Sequence, residues 1–314
     1  MRRILSIALV ALVLVAVGPP LAARLLGWGA DPGALPPRGR TVAIDNDLAL
    51  NVVEVGSGPP VLLVHGLPSS AADWTETPAR LAALGYRAIA YDRVGYGYSS
   101  RGPTAPDRYT YGSNARDLLA LMDALGIERA PLVGWSYGGA VVQTAAAMAP
   151  ERVPRLVLLA AVGPAQPPGD DPLSQLLETP VAAPLLKWIA SVPPVSGSFT
   201  RDSLVRAFAG AAAIPPGWAA RTQAMLALPG TLDAFVLEEQ RGRPDALHPE
   251  RLTMPTLIIE GSADALVPPP VAADLHRRIA GSTLVAVPDG SHMLPATHPD
   301  LLATEIDRFL RDVG

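Results

Sequence analysis

The run from Pro131 to Ala149 constrains the fold more than any other. A short apolar strand, Pro131 to Val133, passes directly into Gly134-Trp135-Ser136-Tyr137-Gly138 and then into an alanine-rich helix, Ala140 to Ala149, which Pro150 ends. A turn this tight between strand and helix brings positions 134 and 138 so close that side chains would collide, so both are glycine. Ser136 is left at the tip in a strained conformation with its hydroxyl exposed. The helix aims its amino end at the same point, favouring negative charge that develops there. A Gly-x-Ser-x-Gly string alone is a common turn; the strand before it and the helix after it give this one its meaning.

The rest of the chain keeps that rhythm. From Thr41 onward, short apolar strands alternate with amphipathic helices, the pattern of an α/β fold with a mostly parallel sheet covered on both faces. Thr41 to Ile44 and Leu48 to Val55 read as a leading hairpin around Asp45-Asn46-Asp47. Buried strands follow at Val61 to Val64, Ala88 to Tyr91, Pro131 to Val133, Leu156 to Ala160, Leu257 to Ile259 and Thr283 to Val287, eight in all. Leu118, Leu121, Met122 and Leu125 share one helical face that stops at Gly126, and Leu302, Ile306, Phe309 and Leu310 share another. Over 90 residues separate the strand ending near Ala161 from the one starting near Thr256, where a crossover helix needs about a dozen. Within it, residues 164–250 hold 13 of the 34 prolines together with Trp188, Phe199, Phe208, Trp218 and Phe235. Short helix-like pieces recur in it at Leu185 to Ala190, Ser203 to Ala209 and Trp218 to Ala227. Residues 164–250 are therefore expected to form an inserted helical cap over the carboxyl edge of the sheet, splitting a core made of residues 41–163 and 251–314. The cap aromatics suit the roof of an apolar pocket, although some serve only as the cap's own core.

Residues 1–23 stand apart. Met1-Arg2-Arg3 precedes an apolar run, and Ile4 to Ala23 is 20 residues without a charge, about 30 Å as a helix and enough to span a bilayer. The segment is expected to act as a membrane anchor or as a cleaved signal peptide. In both cases the catalytic domain works outside the cytoplasm, behind a proline-rich spacer at residues 24–40. The 314 residues include no cysteine, which removes disulfides, thiolate metal sites and a cysteine nucleophile. A net charge of −4 supplies no global basic field for nucleic acid. No His and carboxylate cluster has metal-ligand spacing, so neither metal nor cofactor is expected.

A serine hydroxyl needs a base, and the base needs a group to hold it. Asp264 lies in the loop leaving the Leu257 to Ile259 strand, and His292 in the loop leaving the Thr283 to Val287 strand. Both loops emerge on the same sheet edge as Ser136. His292 would take the Ser136 proton and return it to the leaving group, while Asp264 fixes the ring's tautomer. Glu260 and Asp289 are alternative acids, and Asp264 could instead cap the next helix. His65 reads as shaping its loop, and His276, His298 and His248 lie on or beside helices or at the cap's end.

In this order, and with His65-Gly66 after an early strand and Asp92-Arg93-Val94-Gly95-Tyr96-Gly97-Tyr98-Ser99 matching Asp-x-x-Gly-x-Gly-x-Ser, the chain resembles the α/β-hydrolase fold superfamily in its capped, esterase- and lipase-like branch. The similarity covers roughly Thr41 to Gly314. It implies an oxyanion hole formed by the backbone N–H groups of Leu67 and Tyr137. Ser136 at the elbow argues against relatives that use aspartate there, the haloalkane dehalogenases and epoxide hydrolases. All seven tyrosines lie at or before Tyr137, so the cap has no phenol to polarise an epoxide. The expected activity is a serine carboxylesterase acting through an acyl-enzyme on a small apolar acyl substrate. A carbon–carbon bond hydrolase, a cofactor-free perhydrolase and a non-enzymatic ligand sensor are the alternatives. The oligomeric state is not legible.

Overall fold

The computed structural model describes residues 30–103, 107–167, 179–190 and 193–312, together with Gly18, Leu21, Gln175 and Leu177. The expected export segment, apart from Gly18 and Leu21, lies outside the described residues. Among the described residues no helix is long and apolar enough to cross a membrane.

Eight strands form one sheet: β1 Arg40–Ala43, β2 Ala49–Val55, β3 Pro60–Val64, β4 Arg87–Tyr91, β5 Leu132–Trp135, β6 Leu156–Leu159, β7 Thr256–Gly261 and β8 Thr283–Val287. Their order is β1-β2-β4-β3-β5-β6-β7-β8. The β1–β2 and β2–β4 pairs are antiparallel and every other pair is parallel. All eight expected strands are present, with ends shifted by one or two residues. The helices are α1 Thr77–Ala83, α2 Tyr111–Ala124, α3 Tyr137–Met148, α4 Ala182–Ala190, α5 Pro193–Ala207, α6 Trp218–Leu226, α7 Thr231–Arg241, α8 Pro269–Arg278, α9 Leu294–Thr297 and α10 Pro299–Arg311.

The central strands β3, β5 and β6 are apolar because both sheet faces are covered there. Side chains alternate between two cores: Leu62, Val64, Leu132, Leu156, Leu158 and Ile258 pack with α2, α3 and α8. Val61, Leu63, Val133, Val157, Leu257 and Ile259 face the opposite way, toward Leu81 of α1 and toward Leu302 and Ile306 of α10. Helix α2 starts at a reciprocal cap in which Thr110 and Ser113 each bond the other's backbone N–H, satisfying two donors that the first turn would otherwise leave open.

After β3 the chain crosses to β4 on one side, and after β4 it returns to β5 on the other. The carboxyl ends of β3 and β5 therefore flank the point where the winding reverses, the usual crevice for a site in an open α/β sheet. Helices α4 to α7 occupy the long connection between β6 and β7. Two of its details differ from the sequence reading. The piece expected at Ser203 to Ala209 is the end of a longer helix that begins at Pro193, since prolines fit a first helical turn, where their missing N–H costs nothing. Helix α7 was not anticipated, and it carries Glu238.

Candidate active site

Ser136 follows β5 with φ 57° and ψ −122°, a positive-φ conformation that costs a non-glycine residue energy and is held only by tight surroundings. The glycines supply them. A Cβ on Gly134 would sit 2.4 Å from Gly138 O, and one on Gly138 would sit 2.2 Å from Val64 O and 2.6 Å from His65 O. Close passage of the elbow against the end of β3 thus demands glycine. Gly66 is equally close, because a Cβ there would lie 2.9 Å from Ser136 Cβ and 3.3 Å from its Oγ. The 65–67 loop therefore runs directly beside the serine hydroxyl. Ser136 keeps 8% of its surface exposed.

Asp264 and His292 come together as expected. His292 Nδ1 lies 2.7 Å from Asp264 Oδ2, and both residues are buried. The other carboxylate oxygen, Oδ1, accepts the Leu266 and Val267 N–H groups at 2.8 and 2.9 Å, which fixes the carboxylate plane. The loops that carry the pair are stitched to each other, with Ala263 N–H donating to Gly290 O at 2.8 Å and Asp289 N–H to Ser262 Oγ at 2.8 Å. Trp135, next to the serine, donates its indole N–H to His292 O at 2.9 Å. Of the three candidate acids, Asp264 is the one that hydrogen-bonds His292 among the described residues, while Asp289 meets Ser262 through its backbone. Among the described residues no hydrogen bond joins Ser136 Oγ to His292 Nε2, a link that is commonly loose before substrate binds.

Glu260 is itself unusual. It is 9% exposed, and one of its carboxylate oxygens is sealed with no partner among the described residues. Burial, and secondarily the Asp264 charge, push its pKa up.

His65 shapes its loop. It is fully buried, its Nε2 accepts the Arg93 backbone N–H at 2.9 Å, and its Nδ1 lies 2.8 Å from Gly66 O. That pattern requires the neutral ring with its proton on Nδ1. Burial, then the neighbouring Arg93 charge, hold its pKa well below the usual histidine value. Arg93, from the motif after β4, is the residue whose importance the sequence reading missed. Its guanidinium donates to Gly66 O at 2.9 Å and His65 O at 3.3 Å. It forms a buried ion pair with Glu238 of α7 and lies over the rings of Tyr96 and Tyr137, 4.8 and 4.6 Å from their centroids. Glu238 also accepts from Asn114 Nδ2 at 2.7 Å and Tyr96 OH at 2.9 Å. Thr231, Ala234, Phe235 and Glu238 are buried on α7 at i, i+3, i+4 and i+7 spacing, so a charged residue on an otherwise uncharged stripe was the available signal.

The sequence-expected oxyanion donors, the N–H groups of Leu67 and Tyr137, make no hydrogen bond among the described residues. Tyr137 opens α3, where a first-turn N–H has no partner within the helix. The Leu67 side chain packs against the insertion's apolar cluster of Leu177, Ala182, Leu186, Phe235 and Val236. Of the expected aromatics, Phe208 and Trp218 stack edge to face at 5.2 Å. Arg221 lies 3.8 Å over Trp218 and bonds Asp73 at 2.7 Å, a second tie between insertion and core. A cavity of about 20 Å³ between these two parts is lined by Pro68, Ser70, Tyr96, Met225 and Leu226, among others.

The signature of the α/β hydrolase fold family matches residues 59–299. The chain belongs to this family. A non-heme chloroperoxidase of Streptomyces lividans is 32% identical over 267 residues, covering 81% of this chain and 92% of its own. An epoxide hydrolase of Caballeronia sordidicola is 43% identical over only 107 residues, 34% of this chain and 32% of its own. Among solved structures, a thermophilic esterase from Thermogutta terrifontis superposes with a TM-score of 0.70 at 26% identity, covering 88% of this chain and 98% of that one.

Proposed function

We propose that the protein is a serine carboxylic-ester hydrolase acting through an acyl-enzyme on a small apolar acyl substrate. The observation that carries this reading is Ser136, strained at the strand-to-helix turn, on the same sheet edge as a buried His292–Asp264 pair. Ser136 Oγ attacks the ester carbonyl carbon as His292 Nε2 takes its proton, and the carbonyl electrons move to oxygen. That oxyanion is met by the Leu67 and Tyr137 N–H groups. Its collapse expels the alcohol, which takes the proton from His292, and leaves the acyl group on Ser136. Water, deprotonated by His292, then attacks the acyl carbon, releasing the acid and restoring the serine.

Asp264 keeps the ring proton on Nδ1 so that Nε2 faces the serine as acceptor. Helices α4 to α7 act as a cap over the site. A serine elbow sets this chain apart from epoxide hydrolases, which use aspartate there. The resemblance to a chloroperoxidase along most of both chains favours one second reading: hydrogen peroxide in place of water would release a peracid from the same acyl-enzyme. Residues 1–23 direct export, leaving the catalytic domain outside the cytoplasm, and cell fractionation tests that placement.

A fluorophosphonate probe tests the central reading. It should label wild type at Ser136, and the folded Ser136→Ala variant should lose both labelling and p-nitrophenyl ester hydrolysis. An unlabelled wild type refutes the serine mechanism. Peracid formation measured beside hydrolysis separates the two readings.

A further inference from the structure

We propose that Glu238, on the inserted helix α7, is a positioning residue for the oxyanion hole, acting through Arg93 on the peptide that carries the Leu67 N–H. The inference rests on the serine-hydrolase reading above.

In a trans peptide the carbonyl and the N–H point in opposite directions. The Gly66–Leu67 bond is trans, since the one cis bond in this loop is Leu67–Pro68. Gly66 O is held from one side by two donors, Arg93 Nη2 at 2.9 Å and His65 Nδ1 at 2.8 Å. Fixing that oxygen fixes the opposite direction of the Leu67 N–H, on a loop where Gly66 lies against Ser136. The guanidinium can hold Gly66 O only while it is itself held. Its Nη1 is taken by Glu238 and by Asn114 Oδ1 at 3.3 Å, and its faces by the rings of Tyr96 and Tyr137.

Tyr137 is the residue that carries the second oxyanion donor. One guanidinium therefore touches the peptide of the first donor and the side chain of the second, and the insertion supplies its only buried counter-charge among the described residues. Arg93 is 1% exposed and Glu238 is fully buried. A buried ion pair is weak evidence for stability, because desolvation offsets the attraction and an apolar pair would serve as well. An apolar pair could not grip a carbonyl. The planar fork of arginine can, bonding Glu238 with one nitrogen and Gly66 O with the other. This arrangement makes the cap part of the catalytic apparatus as well as a cover for it.

Two variants test the proposal. Glu238→Gln keeps the side-chain shape and removes the counter-charge. Arg93→Lys keeps a charge beside Glu238 but cannot also reach Gly66 O. Each is compared with wild type for circular dichroism, kcat and KM on p-nitrophenyl acetate, and affinity for a boronic acid, whose tetrahedral adduct on Ser136 places an oxygen in the oxyanion hole.

An oxyanion donor acts on the transition state more than on bound substrate. Both variants should therefore lose about tenfold or more in kcat with KM nearly constant, and boronate affinity should fall in parallel. Wild-type kcat and boronate affinity in either folded variant, with wild type labelled at Ser136 by fluorophosphonate, overturns this inference and leaves the serine reading intact. A wild type that does not label overturns both. A purely structural tie would lower the unfolding temperature and leave kcat of the folded protein unchanged, which also overturns the proposal.

Discussion

Replacing Asp264 by asparagine tests the proposed triad at its least replaceable point. The carboxylate accepts three hydrogen bonds: Oδ1 from the Leu266 and Val267 N–H groups at 2.8 and 2.9 Å, and Oδ2 from His292 Nδ1 at 2.7 Å. Asparagine can accept on one side only. Turning its NH₂ toward the two backbone donors would leave both unpaired, costing roughly 1–3 kcal/mol each in a buried site. The amide oxygen must therefore take the Oδ1 place, which points the NH₂ at His292. A donor facing Nδ1 forces that nitrogen to accept, so the ring proton moves to Nε2. The ring then has no lone pair for the Ser136 proton. A wrong tautomer of this kind costs about 10⁴-fold in kcat, or about 5.4 kcal/mol of transition-state stabilisation. The fold should survive, since the Oδ1 bonds persist. The assay is initial-rate hydrolysis of p-nitrophenyl acetate by the purified variant, with thermal unfolding alongside. A folded Asp264→Asn enzyme within tenfold of wild-type kcat would refute the tautomer argument and return Glu260 to consideration as the acid.

The elbow gives a steric prediction. Gly138→Ala would drive a methyl into the carbonyls of Val64 and His65, at 2.2 and 2.6 Å. These are backbone atoms that cannot swing aside, so the variant should lose about 3 kcal/mol in urea unfolding; wild-type stability would show that the elbow is looser than described. Glu260 gives a pH prediction. Its raised folded-state pKa means that the native protein binds this proton more tightly than the unfolded chain, so stability is lost as pH rises through the carboxylate range. Glu260→Gln should therefore raise Tm near pH 8. Near pH 4, where the wild-type group is also neutral, the variant should change little. An equal gain at both pH values would rule out the charge as the cause.

The inner strands were legible because they are buried on both faces. Val61 to Val64 and Leu156 to Leu159 carry no polar residue to blur the pattern, and each ends at a glycine or a turn. The candidate triad was legible for a related reason. Its members sit in loops at the carboxyl ends of β5, β7 and β8, and the parallel order fixes which edge those loops share before any coordinate is known. The insertion resisted the same treatment. Prolines 193 and 194 look like a break and are instead the first turn of α5. The polar run Glu238-Glu239-Gln240 looks like a solvated surface, yet Glu238 is fully buried.

What hid Glu238 was its partner, 145 residues away. A periodicity reports which face of a helix turns inward, but it cannot say that a carboxylate on that face will meet a guanidinium from a loop after β4. Only the fold brings the two together, and the same meeting joins the insertion to the 65–67 loop. Had the insertion evolved only to cover the site, apolar packing such as that of Leu67 on the cluster containing Phe235 and Val236 would have been enough. Two charges taken out of water beside the proposed oxyanion hole need a further reason, and the grip of Arg93 on Gly66 O supplies one.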